Sequence, residues 1–569
     1  MPPSISSLTS RWATDTGALG LSWRAGPIAI VHLAALIILF QTEYYDVPRI
    51  GSFLFAWGFL NFAWLAVLRR PGVSGVLSLA MVAILIQVSE LKYKVTWQTV
   101  NFVDLMVVDL SSFAYLLAIS PGLGTYVVIG LGVAPGVLML LWRLDPFRVP
   151  RRTAIAGALA CLLGIGGLSV TYPFWPEDIW QRYGHVSNFA RSGFDAVTAY
   201  ARGGYMESDA MVTERLKMTP SAACEPVGRP PHIIMVHDES AFDIRNAPNI
   251  RVPHGYGRHF RSLDGKQRNL IVEAAGGPSW YTEYNVFAGL SARSFGKFSY
   301  FVTRIAAGRV ERGLPNALRR CGYRTFSLYP AHGAFMGTRT FQASAGVQNF
   351  FDMAAMRARD MEPDGFYYDT AIKMLERERS QGPTFFFVYL SANHFPWDYR
   401  WRPELTPGWK DPGNRPVVDE YLRRQTLGMQ DYQQFLERLR REFPGERFMI
   451  VRYGDHQPDF ATQILEPTLK DNEIVQRLMA NDPKYYTTYY AIDAINFRPV
   501  NLASALDVLD APYLPLVVQE AAGLPLDASF AEQKRILKRC RGLFYACGNG
   551  AEARRFNRLL IDAGLIKGL

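Results

Sequence analysis

Cysteine is scarce, five in 569 residues, which excludes a small domain stapled by disulfides. No internal repeat and no low-complexity tract interrupts the chain, so a repeat array is excluded as well. Disorder does not fit either, because 49% of the residues are hydrophobic and the length has room for two or more domains with cores of their own. Nor does the first apolar run, which follows Arg11 and Arg24, end in a small-residue cleavage site; another run follows almost at once, which argues against a removed signal peptide. Lys and Arg outnumber Asp and Glu by 61 to 51, a formal charge of +10. That surplus would suit nucleic acid or anionic lipid, depending on where it clusters.

What is present divides near Tyr172. Before it, apolar runs fall at about 26 to 42, 51 to 68, 72 to 90, 121 to 142 and 153 to 171. Each is close to the roughly 20 residues that a helix needs to cross a bilayer, so five spans are expected. Arg11 and Arg24, then Arg69 and Arg70, then Arg143, Arg148, Arg151 and Arg152 fall on alternate sides under this count. The positive-inside rule makes those sides cytoplasmic, although Arg49, Lys92 and Lys94 lie outside. An odd count carries everything after Tyr172 to the outer side. From Lys92 to Ser120, Phe102, Leu105, Met106, Leu110 and Phe113 recur at helical spacing beside Asp104 and Asp109, as expected of a helix near 101 to 119 lying at the interface. A sixth, polar span is the alternative, and it would reverse the topology.

Residues 172 to 225, with Trp175, Trp180, Tyr183 and Tyr200, suggest a helical tether at the membrane surface. From 226 to 569 short β-rich runs alternate with helical stretches: His232 to Val236, Asn269 to Val272, Tyr323 to Leu328, Thr384 to Leu390, Phe448 to Arg452 and Tyr485 to Ile495, with a helix over Asp419 to Arg441. This predicts an extracytoplasmic α/β domain, a mostly parallel sheet flanked by helices. Sites in such sheets gather beyond the carboxyl ends of the strands. There the sequence places His237-Asp238-Glu239-Ser240, Ser391-Ala392-Asn393-His394 and Asp455-His456. One such residue is usually a loop or capping residue; three strands sharing the pattern point to a metal site, since carboxylate and imidazole are ligands for Zn or Mn. Gly276-Gly277-Pro278-Ser279 before a helix offers a hydroxyl nucleophile and a backbone that can approach an oxyanion, although by itself such a segment is more often a simple turn.

Together these residues resemble the alkaline phosphatase superfamily, in its sulfatase-like branch, and within it the membrane phosphoglycerol and phosphoethanolamine transferases that include lipoteichoic acid synthase. The resemblance runs through the five spans, the segment from Lys92 to Asp104, Glu239-Ser240, Gly-Gly-X-Ser-X-X-Thr-Glu, His394-Phe395-Pro396-Trp397 and Asp455-His456. It implies that Glu239, Asp455 and His456 bind one divalent ion, Mn or Zn, together with Ser279, which stands where the family's nucleophile is usually threonine. Thr282 is the alternative nucleophile; Glu283 after it fixes the register on Ser279. His394 would contact the transferred phosphate and could protonate a leaving alkoxide, and His332 and Arg339 would be further head-group contacts. The Cys-X-Pro-X-Arg signature of true sulfatases is absent, so sulfate-ester hydrolysis is disfavoured.

The resemblance thus implies a multi-pass enzyme of a bacterial inner membrane with a periplasmic catalytic domain. Its donor would be phosphatidylglycerol or phosphatidylethanolamine, its acceptor an envelope glycan such as a periplasmic glucan, and nucleic acid is not an expected partner. Phosphoglycerol is the favoured head group. A phosphoethanolamine transferase acting on lipid A or a glycan, a membrane phosphodiesterase, and a silent protein that binds lipid or glycan are the competing readings. Cys224, Cys321, Cys540 and Cys547 would lie outside, where disulfides persist, and four cysteines allow three pairings. The short interval between Cys540 and Cys547 favours a local bridge, leaving Cys224 for Cys321; free buried thiols are the alternative. Cys161 reads as a packing residue in the fifth span.

Overall fold

The computed structural model describes residues 26–43, 46–96, 98–120, 122–174, 182–216 and 224–569. Arg11, Arg24, Trp175 and Trp180 lie outside them. The chain forms two compact units, one of residues 1–108 and 116–202, the other of 109–115 and 203–569.

The first unit is helical. Four helices, Val47–Leu68, Pro71–Lys94, Leu123–Leu144 and Arg151–Thr171, are long and apolar enough to cross a membrane; Gly26–Thr42 is apolar but shorter, at 17 residues. Small residues let two of them approach closely. A Cβ on Gly58 would meet Cys161 Sγ at 2.7 Å, and one on Gly164 would meet the Phe55 ring at 2.6 Å, so Val47–Leu68 and Arg151–Thr171 pack through glycine notches. Cys161 is buried there, as a packing residue should be. Leu123–Leu144 buries none of its residues, which suits a lipid-facing helix.

The segment from 101 to 119 forms two short helices, Phe102–Val107 and Leu110–Ile119, rather than one. The break follows from side-chain capping. Asn101 and Asp104 close a capping box on the first helix, and the Asp109 carboxylate accepts from Ser112 N at 2.8 Å to start the second. Both acids are paired: Asp104 with Lys92 at 2.7 Å and Asp109 with Arg304 at 2.8 Å.

The second unit is built on an eight-stranded sheet. Its strands are β1 (His232–Asp238), β2 (Arg268–Ile271), β3 (Arg324–Leu328), β4 (Asn349–Phe351), β5 (Thr384–Tyr389), β6 (Phe448–Gly454), β7 (Thr487–Ile495) and β8 (Val508–Asp510), in the order β4-β3-β5-β1-β6-β7-β2-β8. All pairings are parallel except those of β7, which runs antiparallel to both β6 and β2. Alternate side chains of β5 serve opposite faces. Phe386 stacks on Phe326 in the core beneath helices Asp364–Glu378 and Pro416–Glu442, whereas Phe387 packs against Phe287 of helix Ser279–Ala288, 4.6 Å between ring centres. Disulfides join Cys224 to Cys321 and Cys540 to Cys547.

Candidate active site

Three central strands deliver the polar residues. The parallel register of β1 and β6 sets Asp238 opposite Gly454, so Glu239 and Asp455 leave the sheet side by side. That register demands glycine at 454, because a Cβ there would lie 1.7 Å from the Ala241 carbonyl oxygen. Ser240 turns the chain after β1 with φ +52, a left-handed conformation uncommon for residues other than glycine. This turn lets one residue hold both acids. Its N–H donates to Asp455 Oδ1 at 2.7 Å and its hydroxyl donates to Glu239 Oε1 at 2.8 Å.

Ser279 arrives from β2 as the first residue of helix Ser279–Ala288, whose N-terminus carries no side-chain cap. Ser279 N–H and Tyr281 N–H already donate to the carbonyls of Gly277 and Pro278, and the positive end of the helix dipole favours an anion. Gly276, at φ +69, makes the turn into the helix with its α-carbon packed close to the backbone of Asp459. Ser279 Oγ lies 3.3 Å from Glu239 Oε2 and 3.2 Å from His456 Nε2. His456 Nε2 in turn is 3.4 Å from both Glu239 Oε1 and Asp455 Oδ2. All four side chains are buried.

These groups suit a divalent cation. Glu239, Asp455 and His456 each offer a ligand atom, and those atoms lie within 4.8 Å of one another. Asp455 Oδ2 is buried 3.3 Å from His237 Nε2, yet it accepts no well-aligned hydrogen bond. His456 Nδ1 is 2.7 Å from the Gln457 carbonyl; donating there leaves the Nε2 lone pair facing the acids. Burial opposes a charge on this imidazole, but Asp455 and then Glu239 overcome it and raise His456 to about 9. The pocket therefore calls for positive charge where a cation would sit.

The other expected contacts are not bonded to this cluster. His394 is exposed on the loop after β5, stacked on Phe395. Its backbone is held from below: the buried Arg424 donates to the carbonyls of His394 and Pro396, both at 2.9 Å. On the loop after β3, His332 meets the Tyr115 ring edge-on, and Arg339, in helix Thr338–Ser344, pairs with Asp352 at 2.6 Å while lying over the Phe350 ring. No hydrogen bond or ion pair among the described residues links His332, Arg339 or His394 to the four clustered side chains. Sequence reasoning passed over Tyr389, whose hydroxyl donates to Glu239 Oε2 at 3.2 Å. It lies within an apolar run from Phe385 to Leu390 and reads there as core.

Residues 233–481 match the family model described as Sulfatase. The match covers less than half of the chain. Its matched range includes Glu239, Ser279, His394, Asp455 and His456. A curated relative, the capsular polysaccharide biosynthesis protein RkpI of Rhizobium meliloti (strain 1021), is 24% identical over 265 residues, 44% of this chain and 46% of its own. The chain thus spans about half the length of that relative. Among solved structures, the Streptococcus pyogenes phosphoglycerol transferase GacH in complex with sn-glycerol-1-phosphate is similar at 15% identity, covering 61% of this chain and 92% of its own with a TM-score of 0.45. The lipooligosaccharide phosphoethanolamine transferase EptA of Neisseria meningitidis is similar at 14% identity, covering 83% and 95% with a TM-score of 0.40.

Proposed function

We propose that the protein is a multi-pass membrane transferase that moves the head-group phosphate of a phospholipid, phosphoglycerol by preference, onto an envelope glycan through a covalent intermediate on Ser279. The observation that carries this reading is the placement of Ser279 Oγ at an uncapped helix N-terminus, 3.3 Å from Glu239 and 3.2 Å from His456. A divalent ion, Mn or Zn, held by Glu239, Asp455 and His456 would lower the pKa of the serine alcohol and offset charge developing on the phosphodiester. The positive end of the dipole of helix Ser279–Ala288 draws the phosphate toward Oγ.

In the first half-reaction Ser279 gives up its proton to water and Oγ bonds to phosphorus. The bond from phosphorus to the diacylglycerol oxygen breaks, and His394 gives that oxygen a proton. In the second, a glycan hydroxyl bonds to phosphorus and releases its proton, while the bond to Ser279 breaks and Oγ is protonated again. The spans keep this chemistry at the lipid surface, and the domain lies on the periplasmic face of the inner membrane. A net charge of +10 favours an anionic donor over zwitterionic phosphatidylethanolamine. The name of the capsular polysaccharide relative is consistent with a glycan acceptor.

The test is to incubate membranes with head-group-labelled phosphatidylglycerol or phosphatidylethanolamine, with and without a periplasmic glucan extract. Label on glycan together with glycan-stimulated diacylglycerol release is expected, with phosphatidylglycerol the better donor. Equal release in both conditions, with all label in free glycerol phosphate, would replace the transferase with a hydrolase.

A further inference from the structure

One buried hydroxyl in the centre has no part in the chemistry above. Tyr389 is the last residue of β5 and shares a face of the sheet with Phe387, which packs on the helix that carries Ser279. Its ring is wedged between His237, 4.1 Å away centre to centre, and Tyr329, 5.4 Å away and edge-on. This fixes where Oη points. It donates at 3.2 Å to Glu239 Oε2, the same oxygen that accepts the Ser279 hydroxyl at 3.3 Å. Tyr389 Oη and Ser279 Oγ thus converge on one carboxylate oxygen.

From this geometry we infer that Tyr389 is a catalytic residue whose phenol donates a hydrogen bond to a non-bridging oxygen of the phosphoryl group while that group is bonded to Ser279. The non-bridging oxygens are attached to the atom that Oγ attacks, so a donor that shares a carboxylate oxygen with Oγ meets one of them after a small rotation about the C–O bond. No proton changes owner in this contact; the hydrogen bond strengthens as charge collects on the phosphoryl oxygens. A bond of this kind to a carboxylate in the resting site and to phosphate in the loaded site would make Tyr389 exchange partners during each half-reaction.

The inference rests on the transferase reading for the identity of the phosphoryl donor, so its test has an arm that needs no donor. Tyr389→Phe keeps the ring and its packing and removes only the hydroxyl. Full-length protein in detergent is loaded with Mn, and the Kd for the metal and the Kd for inorganic phosphate are measured by calorimetry. Expected are an unchanged metal Kd and a phosphate Kd raised about tenfold. In the lipid assay kcat should fall about 100-fold with little change in KM. A weakened metal Kd accompanied by a proportionate loss of phosphate binding would reduce Tyr389 to a support for Glu239 and overturn the inference. Phosphate binding equal to that of the parent would overturn it as well. If the parent turned over no lipid at all, the transferase reading would fail while the phosphate arm still decided the role of Tyr389.

Discussion

Thr282 turns its hydroxyl away from the acidic cluster and donates to the backbone carbonyl of Asp455 at 2.6 Å, while Ser279, one helical turn earlier, faces Glu239 and His456. The two hydroxyls that compete as nucleophile in the sequence therefore have different surroundings. Ser279→Ala is expected to abolish turnover, and Thr282→Ala to keep a substantial part of it after losing one buried hydrogen bond worth about 1 kcal/mol. Mass spectrometry of trapped enzyme should find the phosphorylated adduct on Ser279. An adduct on Thr282 would shift the nucleophile by three residues.

Glu239→Ala, Asp455→Ala and His456→Ala should each lower bound metal to a small fraction of the parent, because three protein ligands leave none to spare. His394→Ala should keep the ion and lose turnover, since His394 is exposed on its loop outside the cluster. Elemental analysis of the four purified variants separates these roles. A metal-free His394→Ala beside a loaded His456→Ala would exchange the two histidines.

Arg312 closes the far end of the helix that begins at Ser279. Its buried guanidinium donates to the carbonyls of Ala288 and Gly289, to Gln533 at 2.6 Å and to Ser529 at 3.0 Å, and it lies 3.9 Å over the Phe530 ring. Burial pulls its pKa down to about 10. Arg312→Met fills much of the same space but strands the carbonyls, at a cost of about 2–3 kcal/mol. Thermal unfolding should register the loss, with Arg312→Lys recovering part of it. Equal melting of Arg312→Met and the parent would leave the cap without weight.

Asp510 gives the domain a pH dependence. Burial raises its carboxyl to about 7, while Phe544 N–H, donating at 2.6 Å, acts in the opposite direction. Below about pH 4 the group is protonated in both folded and unfolded chains and contributes nothing. As pH rises, the unfolded carboxyl ionises first while the native one keeps its proton. Stability therefore falls between about 4 and about 7 and levels off above, by an amount on the order of a few kcal/mol. Asp510→Asn cannot ionise, so its stability relative to the parent should improve from pH 5 to pH 7.5 in calorimetry. A constant difference between the two would remove Asp510 as the source.

Reporter fusions test the proposed orientation. With the arginine-rich segments in the cytoplasm, a fusion after Pro150 should report the cytoplasmic side and one after Tyr172 the opposite side. A cytoplasmic signal after Tyr172 would reverse the topology.

Much of this centre was legible because strand ends and chemistry coincide in the sequence. Six of the eight strands stand out as β-branched or aromatic runs, and the residues that follow β1, β5 and β6 are acidic or imidazole-bearing. Asn349–Phe351 and Val508–Asp510 escape detection, since three residues do not establish a period. Tyr389 escapes for another reason: hydrophobic pattern cannot tell a tyrosine that packs from one that presents its hydroxyl to a reacting group. Arg339 shows the converse. The resemblance gives it as a head-group contact, while its pairing with Asp352, 13 residues away, is visible only in three dimensions.

Glu239, Tyr389 and Asp455 leave from β1, β5 and β6, neighbours in the interior of the sheet, each flanked on both sides by another strand. The edges are β4 and β8, three residues apiece. Loops at an edge can lengthen or change in composition without moving the ladder that fixes the reacting atoms. Over evolutionary time such an arrangement lets descendants trade acceptors by remodelling the rim while inheriting the centre intact. Kinship at the centre is then a good guide to how a group is transferred and a poor one to which molecule receives it.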